Sequence, residues 1–321
     1  MPRPRRSRQR PPPLRAASRR YRLESVSRPD CHHVLVRSWV SASRRRTPMP
    51  LRDWIHAAGR ILTRGLLHPR VRHFPLMPGI YCRLYLIGKR LTDRRELSTL
   101  RSLIRPGMVI ADIGANVGFY ALEMARAVGP AGRILAFEPD PITFRLLQER
   151  VNHGSEKNIE TYQVALSDTS GRALLYCSAY NRADNRLSPS HTESHVEACE
   201  VDVRRLDEFL SRRDIRLDGL KIDVQGNEEQ VLRGAEAILQ RGVRWIWIEF
   251  SPVHLRGSGS DPERFLERIA GLGMDLFEVK DRGNLEPLTN FAAHTNKIGS
   301  SYGDLVLMRR MSEDWPLEHA T

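Results

Sequence analysis

The chain is short of several things, and each shortage narrows what it can be. Its 321 residues include only four cysteines, Cys31, Cys82, Cys177 and Cys199. None stands in a C-x-x-C pair, so the spacing offers neither a zinc site nor a disulfide framework. Reduced thiols in a cytoplasmic compartment are the expectation. No run approaches the ~18 apolar residues of a membrane span. The basic start is not followed by an apolar stretch, so it does not read as a secretory signal. Lysine is missing from residues 1–50, where 14 arginines face only Glu24 and Asp30. That segment carries +12 of the net +13, which leaves +1 on the remainder. The body therefore lacks the charge of a nucleic-acid-binding domain, and a nucleic-acid partner is not expected. Residues 1–48, with Pro11-Pro12-Pro13 and Arg44-Arg45-Arg46, cannot bury enough apolar surface to offset ordering entropy. They read as a disordered Arg/Pro-rich tail.

What is present has the texture of a globular α/β domain. Trp54, Ile55, Ala58, Ile61 and Leu62 recur at helical spacing, and Thr92 to Ile104 reads as a second helix ended by Pro106-Gly107. Residues 49–105 are thus expected to form a helical N-terminal extension. From 106 to 311 strands and helices alternate, and 312–321 is a short tail. Strands are expected at Met108–Ile113, Arg133–Phe137, Tyr162–Leu166, Leu220–Val224, Trp245–Phe250, Leu276–Val279 and Leu305–Met308. Asp140 stands where a helix N-cap belongs, with Pro141 at the first helical position, in a helix running to about His153. Val231, Leu232, Ala235, Ile238 and Leu239 form one helical stripe, and Pro262–Leu272 is another helix. Repeated βα units followed by two terminal strands imply a doubly wound, Rossmann-like sheet of about seven strands. The stretch Arg172 to Val203 breaks the alternation around a polar loop, Asn181 to Ser194, and reads as an insertion.

In such sheets ligands bind beyond the carboxyl ends of the strands, where strand order reverses. The first strand–turn–helix junction reads Asp112-Ile113-Gly114-Ala115-Asn116-Val117-Gly118. Gly114 permits a tight turn, and Gly118 would let the helix approach the sheet. The spacing is not the G-x-G-x-x-G of dinucleotide sites, and Asp112 would repel a pyrophosphate while attracting the ammonium and sulfonium groups of S-adenosylmethionine. Glu138, in Phe137-Glu138-Pro139, lies where an acid accepts hydrogen bonds from ribose hydroxyls. The expected cofactor set is Asp112, Gly114, Asn116, Gly118 and Glu138, with Asp168 as a candidate for the adenine end or a simple turn residue.

Residues from about 92 to 250 resemble the FkbM-type methyltransferases. The match lies in Pro106-Gly107, in Asp112 to Gly118, in Phe137-Glu138-Pro139, in Leu220-Lys221-Ile222-Asp223-Val224 with Gly226 and Glu228, and in Leu232-Arg233-Gly234-Ala235 with Glu249. The resemblance implies a class I methyltransferase sheet whose last strand is antiparallel, and O-methylation of a sugar, glycolipid or polyketide-like hydroxyl. One departure stands out: Gln225 occupies a position where the family usually carries Glu. Independently of the resemblance, methylating a hydroxyl requires positioning and removal of a proton. Asp223, ending the fourth strand, is the first candidate for the base. Glu228 either points inward at the site or complements its helix dipole. His254, in a loop after the fifth strand, titrates in a useful range but has the look of a surface residue. Asp223, Glu228 and Glu249 could hold Mg²⁺, but with Gln225 in place of an acid no metal is expected. The partner is then a small-molecule or glycan acceptor. A nucleic-acid methyltransferase and a non-catalytic cofactor-binding module of the same fold remain the alternatives.

Overall fold

The computed structural model describes residues 86–309, apart from 91, 179–181, 189–195, 214 and 281–282. The expected tail and the helix around Trp54 lie outside the described residues. The elements follow in chain order: α1 (Arg94–Leu103), β1 (Val109–Ile113), α2 (Phe119–Val128), β2 (Arg133–Phe137), α3 (Pro141–His153), β3 (Ile159–Tyr162), β4 (Ala165–Leu166), β5 (Gly171–Ser178), β6 (Val196–Arg204), α4 (Leu206–Ser211), β7 (Gly219–Ile222), α5 (Glu228–Arg233), α6 (Glu236–Gly242), β8 (Trp245–Phe250), α7 (Pro252–Gly257), α8 (Pro262–Ala270), β9 (Asp275–Val279), β10 (Leu285–Pro287), α9 (Phe291–Ile298) and β11 (Gly303–Met308).

Eight strands form one sheet in the order β10-β9-β11-β8-β7-β1-β2-β3. The five from β3 to β8 are parallel, and β11 enters antiparallel between β8 and β9. This is the doubly wound class I methyltransferase sheet, with one added edge strand, β10. The chain builds β1, β2 and β3 outward in one direction, then returns to lay β7 on the other side of β1. Strand order therefore reverses between β1 and β7, which places the crevice at their carboxyl ends.

The central strands are apolar on both sides because both faces are covered. Ala111, Ile113, Leu220, Ile222, Ile246, Ile248, Leu305 and Leu307 face one core with α5, α6 and α8. Ile110, Ile134, Trp245, Trp247 and Val306 face the other, under α1 and α2. Trp245, Phe137 and Phe250 are among the largest fully buried side chains, each contributing about 1.5–3 kcal/mol of burial.

Several expectations need correction. Tyr162–Leu166 is not one strand: β3 ends at Tyr162, and β4 belongs to a separate three-stranded sheet, β4-β6-β5. That small sheet is the insertion, with β5 and β6 paired antiparallel along eight residues. The stripe Val231 to Leu239 is two short helices. They break at Gly234, where an added Cβ would stand 2.0 Å from the Ser167 carbonyl oxygen, so packing on the β4 turn sets the break. Three terminal strands close the sheet rather than two. His254 lies in helix α7, with Ser251 as its N-cap and Pro252 in its first turn.

Candidate active site

The turn after β1 is closed on itself. Gly114, Asn116 and Gly118 all have left-handed backbones, with φ of 80°, 49° and 78°. The amides of Gly114 and Ala115 donate to the Phe137 carbonyl at 3.0 and 2.9 Å, and that of Gly118 donates to Ala115 at 2.8 Å. The Asn116 amide donates to Glu138 Oε2 at 2.9 Å, and the Val117 amide to Asn116 Oδ1 at 2.6 Å. All five are spent on protein acceptors. A pyrophosphate cradle needs such groups free, so this turn is not built for a dinucleotide. A Cβ on Gly114 would stand 1.9 Å from the Asp223 carbonyl oxygen, so the turn touches the end of β7 directly. At Gly118 it would meet Leu147 Cδ1 at 2.5 Å, so this glycine lets the start of α2 approach α3, while the body of α2 packs on the sheet.

Glu138 braces two turns at once. Its Oε2 takes the Asn116 amide and its Oε1 takes the Asp140 amide at 2.9 Å. Burial pushes its carboxyl up to about 8, against the pull of those two amides. Each oxygen keeps a second lone pair for donors such as ribose hydroxyls. Asp140 caps α3 through the Ile142 and Thr143 amides. It also receives Arg182 of the insertion at 2.8 and 3.0 Å, which ties the insertion to the turn after β2.

Beyond β1 and β7, one face of the sheet carries a polar row. Asp112 and Lys221 are register partners, as are Glu249 and Asp304. Lys221 Nζ lies 3.5 Å from Asp112 and 3.4 Å from Asp223, and 4.7 Å from the centre of the Tyr120 ring. Asp112 is wholly buried, with neither oxygen in hydrogen-bonding geometry among the described residues. Burial raises its carboxyl above the usual range, and Lys221 opposes the rise. Burial acts on Asp223 too, but Lys221, Lys89 and Gln225 outweigh it and hold the carboxyl low. Glu249 moves the other way: burial and the neighbouring Asp223 and Asp304 push it well above the usual range. Asp304 reaches about 7 through burial, although Trp247 Nε1 donates to it. A cavity on this face is lined by Lys89, Asp93, Tyr120, Asp223, Glu249 and Tyr302, among others.

The profile of the methyltransferase FkbM domain matches residues 112–276. This chain is a member of the FkbM methyltransferase family. It is 32% identical to methyltransferase 1 of Beauveria bassiana over 40% of its own length and 58% of that protein. It is 30% identical to the 31-O-demethyl-FK506 methyltransferase FkbM of Streptomyces tacrolimicus, covering 47% of its length and 68% of that protein. The match thus spans 58% and 68% of these two relatives. A crystal structure of a methyltransferase FkbM from Methylobacillus flagellatus KT superposes with a TM-score of 0.39 at 15% identity, covering 79% of this chain and 60% of that one.

The cofactor of this FkbM-family methyltransferase is S-adenosylmethionine, and the residues present fit it. The turn has no free anion cradle, and Glu138 offers a carboxyl group whose oxygens have acceptor capacity beyond the two amides they already take. Of the other expected positions, Asp168 follows β4 in the small sheet, with its carbonyl held by Arg205 at 2.6 Å. Glu228 is buried, and its Oε1 accepts the Val224 and Gly226 amides at 3.2 and 3.0 Å. Burial raises it to about 7. His254 is lowered to about 4 by burial and then by Arg186, so it is neutral at physiological pH, and its Nδ1 is buried without a partner among the described residues.

Sequence reasoning missed Lys221, Tyr120, Asp93, Asp304 and Arg182. The signal for Lys221 was available: a lysine inside the apolar run Leu220–Ile222 of a buried parallel strand needs a counter-charge. The fold also brings together two thiols that look scattered in sequence, Cys177 and Cys199, with sulfurs 3.9 Å apart. With Asp140 they form a potential three-ligand cluster. Asp140 is already engaged by Arg182 and its helix, however, and burial pushes the Cys177 thiol up to about 12. A protonated thiol is a poor metal ligand.

Proposed function

We propose that this enzyme methylates oxygen, on a hydroxyl of a sugar, glycolipid or polyketide-like acceptor, with Asp223 as general base. The carrying observation is Asp223 itself. It stands at the carboxyl end of β7 beside the glycine turn, 24% exposed at the cavity, with Lys221 at 3.4 Å and Gln225 at 2.9 Å. Glu138 and the Asp112–Gly118 turn would hold S-adenosylmethionine. When bound, it supplies an electrophilic methyl on a sulfonium whose thioether departs neutral. The protein therefore has no leaving group to protonate, and its work is positioning and removal of one proton. Asp223 takes the hydroxyl proton as the oxygen gains its methyl group, and Lys221 offsets the charge the carboxylate carries beforehand. His254, neutral at physiological pH, is the second-ranked acceptor of that proton. Glu228 serves the site by fixing the Val224–Gly226 turn. The polar cavity lining favours an acceptor rich in hydroxyl groups over an apolar one.

The relative from Streptomyces tacrolimicus is named for a 31-O-demethyl substrate, which supports oxygen as the acceptor atom. The test is mass spectrometry of cell glycans and lipids with and without the gene. A species lighter by one CH₂ in the deletion strain is expected. If the only methyl lost is from nucleic acid, the hydroxyl reading is wrong.

A further inference from the structure

Gln225 is 9% exposed and adopts a left-handed backbone, φ 53°, uncommon for any residue with a Cβ. That turn aims its side chain between the ends of β7 and β8. Its Nε2 donates to Asp223 Oδ1 at 2.9 Å and to Glu249 Oε2 at 2.7 Å. An amide nitrogen carries two hydrogens, one for each oxygen. Bridged through one nitrogen, the two carboxyl groups are too close to ionise independently and share their charge. Lys221 stands on the Asp223 side of the pair at 3.4 Å. The charge therefore settles on Asp223 and the proton on Glu249.

We propose that Gln225 is the positioning residue of the acceptor site. Its amide clamps Asp223 and Glu249 together, so that the first serves as base and the second offers its proton to a neighbouring acceptor oxygen. The acceptor class that fits is a compound with two adjacent oxygens, such as a vicinal diol. One hydroxyl gives its proton to Asp223 and gains the methyl group, while the neighbouring oxygen accepts a hydrogen bond from the Glu249 carboxyl. This rests on the reading of Asp223 as base. A glutamate at 225 would replace the shared donor with a third negative charge, and the cluster would need an extra proton to hold its geometry. The other groups facing the pair are Lys89 before α1, Tyr302 and Asp304 of the β11 segment, Asp112 of β1, Glu228 of α5 and His254 of α7. None is altered in the test.

The experiment titrates the side-chain carboxyl carbons of the full chain by ¹³C NMR. The Asp223 and Glu249 signals are assigned from Asp223→Asn and Glu249→Gln. Gln225→Met removes the donor and keeps the bulk, and Gln225→Glu keeps the shape. In Gln225→Met the Asp223 midpoint should rise by about one pH unit, a tenfold change in its acid constant. In Gln225→Glu the cluster should retain an additional proton at neutral pH. Affinity for S-adenosylmethionine, measured by calorimetry, should be unchanged in both. Midpoints unmoved in both variants overturn the proposal, and so does a loss of cofactor affinity or melting temperature without a titration shift. These titrations need no acceptor, so they are separable from the assignment of the base. That assignment is read as transfer of tritiated methyl to a panel of methyl hexopyranosides. If the midpoints shift but Asp223→Asn transfers methyl as fast as the unmodified chain, the base assignment fails and the clamp stands.

Discussion

Gly114 and Gly118 share nearly the same backbone, φ 80° and 78°, yet alanine should be tolerated far better at one than at the other. A Cβ in the left-handed region costs about 1–2 kcal/mol wherever it occurs. At Gly118 the new methyl meets the far end of Leu147, at 2.5 Å, a buried side chain but one that gives way more readily than main chain. The total for Gly118→Ala should therefore stay near the backbone cost, about 1–2 kcal/mol. At Gly114 the obstacle is the Asp223 carbonyl oxygen, 1.9 Å from the ideal Cβ, and main chain cannot rotate aside. Overpacking adds about 1–3 kcal/mol, which brings Gly114→Ala to about 2–5 kcal/mol. The displaced atom belongs to the proposed base, so turnover should fall along with stability. Urea denaturation reads the difference directly, provided the slope of the transition is the same in both variants. Equal losses at the two glycines would refute the claim that the cofactor turn is pressed against the end of β7.

Three further outcomes are expected. Lys221→Met should destabilise the fold by about 3–5 kcal/mol, because it leaves Asp112 buried without a counter-charge. Adding Asp112→Asn should recover part of that loss, and a double-mutant cycle in urea reads the coupling. The thermal midpoint of the cofactor-free protein should fall between pH 5 and pH 9. Glu138 at about 8, and Glu228 and Asp304 at about 7, are all raised above their ordinary values. Stability from such groups is complete below the unfolded pKa and lost as pH climbs through the folded one. Glu138→Gln should flatten that slope, and a midpoint that rises with pH would contradict the burial argument. Asp112→Ala and Glu138→Ala should weaken S-adenosylmethionine binding in calorimetry, while Asp223→Ala spares binding more than turnover. Equal affinity in all three variants would refute the site assignment.

What could be read from sequence was what local chemistry decides. Helix α3 begins at Pro141 and ends at His153 as expected, since Asp140 caps it from its own side chain and Pro141 presets its first turn. Strand β8 matches its expected span because a strand buried on both faces reads as an apolar run, broken here only by Glu249 near its carboxyl end. The glycine turn and Glu138 were legible for the same reason, being a spacing that the backbone enforces. What escaped was decided by distant partners. Nothing in Tyr162–Leu166 says that the chain leaves the main sheet at Gln163; that follows from Ala165 and Leu166 pairing with Val203 and Arg204. Gly234 looks like an ordinary helix residue until the Ser167 carbonyl is placed against it. Helix α7 is a different case. Ser251-Pro252 is a helix start by the same rule that found α3, but a stretch this short carries too little periodicity to be recognised as a helix.

Lys221 also changes the argument about Asp112. In sequence Asp112 stands as a free negative charge waiting for the cofactor's cationic groups. In the structure its charge is already met by Lys221 at 3.5 Å, and the same ammonium meets Asp223 at 3.4 Å. One buried cation therefore links the strand that ends in the glycine turn to the strand that ends in the proposed base. Electrostatic attraction from Asp112 is correspondingly muted, and selectivity against a dinucleotide shifts to the turn's amides, all of which are occupied. The arrangement also explains why a lysine is tolerated in the middle of a parallel sheet. With a carboxyl on each side and the Tyr120 ring 4.7 Å away, its desolvation is offset from three directions. Removing any one of these contacts should be felt on both sides of the switch point, in cofactor affinity through β1 and in proton transfer through β7.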